Sequence, residues 1–162
     1  MWKEIFVDDI KGLEKFAKIR NLFGCSNDWT KDRVIKILTV KKDCHIYLYE
    51  SEKYDMIVGF KEDAITGKIV FVAIALGYLK VVNYEEALKV MGRKIKEYLI
   101  EKKNSLYMPS SKGFDEKHPN VLRVGFDVMI SYCVNYWKEI GLIVDWTKNN
   151  FITIEVDGNK YS

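Results

Sequence analysis

The run Lys68-Ile69-Val70-Phe71-Val72-Ala73-Ile74-Ala75-Leu76 is apolar at even and odd positions alike. Side chains alternate between the two faces of a strand, so such a run fits a strand covered on both sides, central in its sheet. Two more strand-like runs precede it. Residues 44–49 read CHIYLY and residues 56–60 read MIVGF, both rich in β-branched and aromatic types. The links between the three runs are short and polar, with a turn signal at Thr66-Gly67. Short links join antiparallel neighbours, so these runs predict an antiparallel meander.

Helical periodicity flanks the meander on both sides. Over residues 8–23, Ile10, Leu13, Phe16, Ala17, Ile19, Leu22 and Phe23 recur at spacings of three and four. Gly24 follows where a C-terminal glycine is expected. After Asn27-Asp28 a second helix is predicted over residues 29–40, with Val34, Ile35, Ile37 and Leu38 as its apolar positions. Downstream, Asn83 with Glu86 three residues later reads as an N-cap and capping box. The long helix that they open covers residues 83–101, with Ala87, Leu88, Met91, Ile95, Tyr98 and Leu99 at helical spacing.

Residues 106–108 predict a short strand, parallel to a neighbour by its alternation with helices. Residues 109–119 form a loop without periodicity that carries Ser110-Ser111-Lys112-Gly113. A helix over 122–140 ends at Gly141, and strands at 142–146 and 151–156 close the chain around a turn at 148–150. The result is a mixed α/β fold, a mostly antiparallel sheet flanked by helices, in a single domain over residues 1–162. Phe71, Ile74, Leu88, Met91, Ile95 and Val128 are its expected core.

Composition agrees with one globular domain. The chain has 162 residues, of which 48% are hydrophobic, 30% charged and 14% aromatic. The formal charge is +3, but the bases interleave with acids, as in Lys3-Glu4, Glu14-Lys15, Asp32-Arg33 and Lys138-Glu139. That is a solvated surface and not a basic stripe following a phosphate backbone, so nothing points to a nucleic-acid partner. Arginine, the residue suited to bidentate base reading, occurs only at positions 20, 33, 93 and 123. No segment reaches the roughly 18 consecutive apolar residues that a membrane-spanning helix needs. The start, Met1-Trp2-Lys3-Glu4 with Asp8 and Asp9, does not read as a signal peptide. The cysteines at 25, 44 and 133 lack the spacing of a zinc site or a disulfide framework. A cytoplasmic location is the expectation. Oligomeric state is not legible.

The order of these elements, and three short pieces of sequence, resemble the GNAT N-acyltransferase family. Tyr136-Trp137-Lys138-Glu139-Ile140-Gly141-Leu142 is similar to the family's passage from last helix to strand: two aromatics, two polar residues, an apolar residue, glycine, an aromatic. Ile143-Val144-Asp145 with Phe151-Ile152-Thr153-Ile154-Glu155-Val156 resembles the closing strand pair, and Ile57-Val58-Gly59-Phe60 resembles the third strand. The likeness in layout covers residues 5–156. It implies acetyl-CoA or another acyl-CoA as co-substrate, and a primary amine on a small molecule or a protein as acceptor.

In this family the pyrophosphate rests on backbone N–H groups of a glycine-rich loop opening the helix after the fourth strand, where a helix dipole and close backbone approach favour an anion. The resemblance therefore implies Leu76, Gly77, Asn83 and Tyr84 as cofactor-binding positions. The corresponding stretch, 77–86, contains no GxG and no arginine. Glu85 and Glu86 sit in the first turn, where carboxylates satisfy the dipole themselves and oppose a pyrophosphate. Two readings stay open: a divergent acyltransferase, and a binding or interaction module of the same fold that has lost the reaction.

The family's proton donor to the departing thiolate is often a tyrosine of the last helix. Counting back from Gly141, that position holds Trp137; Tyr136 beside it is the candidate acid, and Tyr132 lies one turn earlier on the same face. The fourth strand's Phe71–Leu76 segment offers no acid or histidine as a base, which leaves Asp43, His45 and Glu50 as candidates. Cys44 and His45 are successive strand residues on opposite faces, so they are not a nucleophilic dyad. His118 lies in the polar loop before Pro119.

Overall fold

The computed structural model describes residues 1–23, 28–79, 84–109, 133–146 and 151–158. The chain forms two compact units, residues 1–82 and 83–162. Every strand pairing among the described residues given below is antiparallel. The expectations at Gly24, Cys25, Asn27, Asn83, Ser110 to Gly113, His118, Val128 and Tyr132, the first part of the helix over 122–140, and the turn at 148–150 lie outside the described residues.

The first unit contains β1 (Trp2–Ile5), α1 (Ile10–Phe23), α2 (Lys31–Val40), β2 (His45–Tyr49), β3 (Tyr54–Glu62) and β4 (Ile69–Leu79). Its strands run β1-β2-β3-β4. The predicted meander is there: Tyr47 stands opposite Val58, and Val58 opposite Ile74. Strand β1 was not expected. It pairs Ile5 with Ile46 and Trp2 with Tyr49, and it is a strand because β2 supplies the ladder, four residues being too short a run to carry a signal of their own.

Helix α1 starts at Ile10, two residues later than its periodicity indicated. The Asp9 carboxylate accepts from the Gly12 N–H at 3.0 Å, satisfying one of the donors that a helix leaves open at its start. Gly12 is dictated by space, since a Cβ there would come within 2.5 Å of Asp9 Oδ2 and 2.7 Å of Ile5 Cδ1. Helix α2 starts at Lys31, because Thr30 is its cap and accepts from the Arg33 N–H at 3.2 Å. Trp29 thus precedes the helix. Leu13, Phe16, Ala17 and Ile19 of α1 with Val34 of α2 bury one face of the sheet, against Ile5, Ile46, Leu48, Ile57, Ala73 and Ala75. Ile10 and Leu22, at the ends of α1, are exposed.

Strand β4 carries two irregularities. Between Gly59 and Phe60 the partner jumps from Ala73 to Phe71, so Val72 is an extra residue. The jump corrects one expectation. Phe71 turns to the face of Phe60, ring centroids 5.7 Å apart, and is half-buried there rather than enclosed. Further along, Met56 faces Leu76 while Tyr54 faces Leu79. Two steps on β3 match three on β4, which places a bulge at residues 77–78.

The second unit contains α3 (Tyr84–Lys102), β5 (Leu106–Pro109), helical residues 133–139, β6 (Leu142–Trp146) and β7 (Phe151–Val156). Strand β7 is central, pairing Ile154 with Leu106 of β5 and with Val144 of β6. The pairing of β5 with β7 is antiparallel. Ile152 and Ile154 are buried, as are Leu88, Met91, Ile95, Tyr98 and Leu99 of α3. Gly141 ends the last helix at φ 98°, a left-handed value that glycine adopts without steric cost.

Candidate functional site

The expected cofactor positions Leu76 and Gly77 lie at the bulged end of β4. A bulge leaves backbone groups outside the regular ladder, and this one falls on residues 77–78. Gly77 is also a position of close approach: a Cβ on it would stand 3.2 Å from Ile19 Cγ1 and 3.3 Å from the Asp55 carbonyl oxygen. The helix over the sheet and the backbone of β3 therefore both crowd this end of the strand.

Tyr84 is the first residue of α3, and Glu85 and Glu86 fill its first turn. These acids do not stand alone. Lys89 Nζ lies 3.0 Å from Glu85 and 2.7 Å from Glu139 of the last helix, and the Glu139 contact, then that with Glu85, raises the Lys89 pKa. Glu85, Glu86, Lys89 and Arg93 line a groove of about 270 Å³.

Trp137, at the position where the family often has tyrosine, is fully buried. Its Nε1–H donates to the Leu88 carbonyl oxygen at 2.8 Å. Gly92 makes the space, since a Cβ there would come within 2.5 Å of Trp137 Cδ1 and 2.7 Å of Ile140 Cδ1. Trp137 is a core residue whose one donor is used. Tyr136, its neighbour, is half-buried.

In three dimensions the chain is similar to the crystal structure of aminoglycoside 6'-acetyltransferase type Ii, with a TM-score of 0.58 over 96% of each chain. The chain has the GNAT fold. The two sequences are 9% identical, so the likeness is one of fold and not of sequence. No family model and no curated protein matches the sequence.

Within this GNAT fold the candidate bases separate. The structure brings Asp43 and His45 together, and adds Glu4 from β1, which the sequence reading missed. His45 Nε2 lies 2.8 Å from Asp43 Oδ1, and His45 Nδ1 lies 3.3 Å from Glu4 Oε1. A neutral ring donates to one of these carboxylates and an imidazolium to both. Glu50 is elsewhere, bound to Lys15 at 2.5 Å, and Lys15 also reaches Asp55 at 3.3 Å. Cys44 packs against the core under the helices. Burial pushes its thiol up to about 11 and that of Cys133 up to about 12. Neither is a nucleophile at neutral pH. Among the described residues no cluster of histidine, cysteine and acidic side chains could hold a metal ion, and no helix is long and apolar enough to cross a membrane.

One cluster escaped the sequence reading altogether. Arg20 and Arg33 both place their guanidinium groups over the Trp29 ring. The signal available was weak: two of the few arginines flank the same tryptophan in sequence.

Proposed function

We propose that this chain is an N-acyltransferase that moves an acyl group, acetyl in the first instance, from acyl-CoA to a primary amine of a small molecule or a protein. The observation that carries the reading is the bulge at residues 77–78 of β4 within a GNAT fold. Backbone groups released from the ladder there can bind an extended thioester ligand and polarise its carbonyl. Acyl-CoA supplies an activated acyl carbon. The amine lone pair attacks that carbon, a C–N bond forms, the C–S bond breaks, and the Tyr136 hydroxyl gives its proton to the departing thiolate. The proton that the attacking nitrogen sheds passes through water to restore that hydroxyl. Such a reaction can run mainly on positioning, so it does not depend on a dedicated base. Asn83 and Tyr84 are the positions we assign to the pyrophosphate, with Lys89 and Arg93 offsetting the acids of the first turn.

The acidic first turn of α3 favours a second reading, a GNAT-fold interaction module without catalysis. Calorimetric titration with acetyl-CoA separates the two. Saturable binding supports the enzyme, and absence of heat at millimolar acetyl-CoA supports the module.

A further inference from the structure

The Arg33 guanidinium stands 4.4 Å from the Trp29 ring centroid, and that of Arg20 stands 5.1 Å away. The ring sits on a clamped backbone: the Asn21 side chain accepts from the Trp29 N–H at 3.0 Å and donates to its carbonyl oxygen at 2.9 Å. Arg33 has a carboxylate, Asp28, at 2.6 Å. Arg20 differs. Its Nη1 is buried and has no hydrogen-bond partner among the described residues. Burial first, and then the neighbouring charge of Arg33, lower its pKa, and Asp28 offsets them only in part. A buried guanidinium nitrogen lacking an acceptor destabilises the fold unless something supplies that acceptor. The cluster sits at the end of α1 where Ile19 packs against Gly77.

We propose that Arg20 and Arg33, gathered over Trp29, bind an anionic group, a carboxylate or a phosphate, of a small-molecule ligand. The planar guanidinium fork matches both groups, and attraction to the indole face holds the two guanidinium groups near one another in advance. Asp28, which pairs with Arg33 and also acts on Arg20, supplies one negative charge against the two positive ones, and the ligand answers the other. On the acyltransferase reading, on which this last step rests, the ligand is the acceptor: an amine that also carries a carboxylate or phosphate.

The test is calorimetry on the full chain at low ionic strength without acyl-CoA, titrating inorganic phosphate and, separately, glutarate. The expected result is saturable millimolar binding of at least one, weakened roughly tenfold or more in Arg20→Gln. Which anion binds identifies the group. Thermal unfolding supplies a second readout. Arg20→Met should melt no lower than wild type without anion, because it removes a buried charge that lacks an acceptor, and the anion should raise the melting temperature of wild type only. No heat with either anion up to about 50 mM, binding unchanged in Arg20→Gln, or an Arg20→Met variant that melts far lower or fails to fold would each overturn the proposal. Failure here leaves the acyltransferase reading standing, since that reading fails only in the acetyl-CoA titration.

Discussion

The Trp137 indole donates to the Leu88 carbonyl oxygen at 2.8 Å, across a gap left open by Gly92. A helix-interior carbonyl thus takes a second donor, and the last helix is locked to α3 where a side-chain methyl would not fit. Gly92→Ala should lower stability by about 1–3 kcal/mol through overpacking, although alanine is the better helix former by about 1 kcal/mol. Trp137→Tyr should also destabilise and should not raise any acyltransferase activity, since its hydroxyl would sit in the core. Urea unfolding of both variants checks the first statement, and an acyl-transfer assay the second.

Ile95 is fully buried in α3. Ile95→Ala should cost about 2–5 kcal/mol in urea unfolding. A loss below about 0.5 kcal/mol would mean that this face of the helix is not enclosed.

Asp9 caps α1. The Gly12 N–H, and then Lys3 at 3.0 Å, hold its carboxyl below the ordinary 3.8. A depressed folded-state value stabilises the fold above the unfolded value, and the effect is lost as pH falls through the folded one. Asp9→Ala should therefore cost about 1 kcal/mol at pH 7. The gap from wild type should close as the pH drops below 3.8. Unfolding curves across that range decide it, and a gap independent of pH would show that the carboxylate is not the cause.

Glu85→Gln with Glu86→Gln should tighten acetyl-CoA at low salt, by up to roughly fivefold per charge removed. Salt should narrow the gain by screening. Because Lys89 already faces Glu85, Lys89→Met should weaken binding in the same titration. An affinity indifferent to all three changes would place the ligand away from this helix.

Tyr136→Phe should lower kcat by about a hundredfold, the low end of general-acid contributions. Acetyl-CoA affinity should stay as it was. An unchanged kcat would remove Tyr136 from the reaction and leave protonation of the thiolate to solvent.

What the chain determines by itself is local and periodic. The double-parity run before Leu76 marks the third strand of the meander, the three-four spacing of Leu88, Met91 and Ile95 marks the buried face of α3, and Gly141 marks the end of the last helix. Each signal lies within about two turns or one strand, so no distant partner is needed to read it. The GNAT layout follows from such signals in series. Tertiary structure decides the rest. Strand β1 exists because β2 offers it a ladder. Phe71 shares a face with Phe60 because Val72 is bulged, and a bulge shifts the alternation that periodicity relies on. Trp137 became a core donor only where Gly92 and the Leu88 carbonyl met it. Glu4 reached His45, and Arg20 and Arg33 reached Trp29, through pairing and packing between separate elements. Such contacts depend on how elements come together, and spacing along a chain carries no record of that.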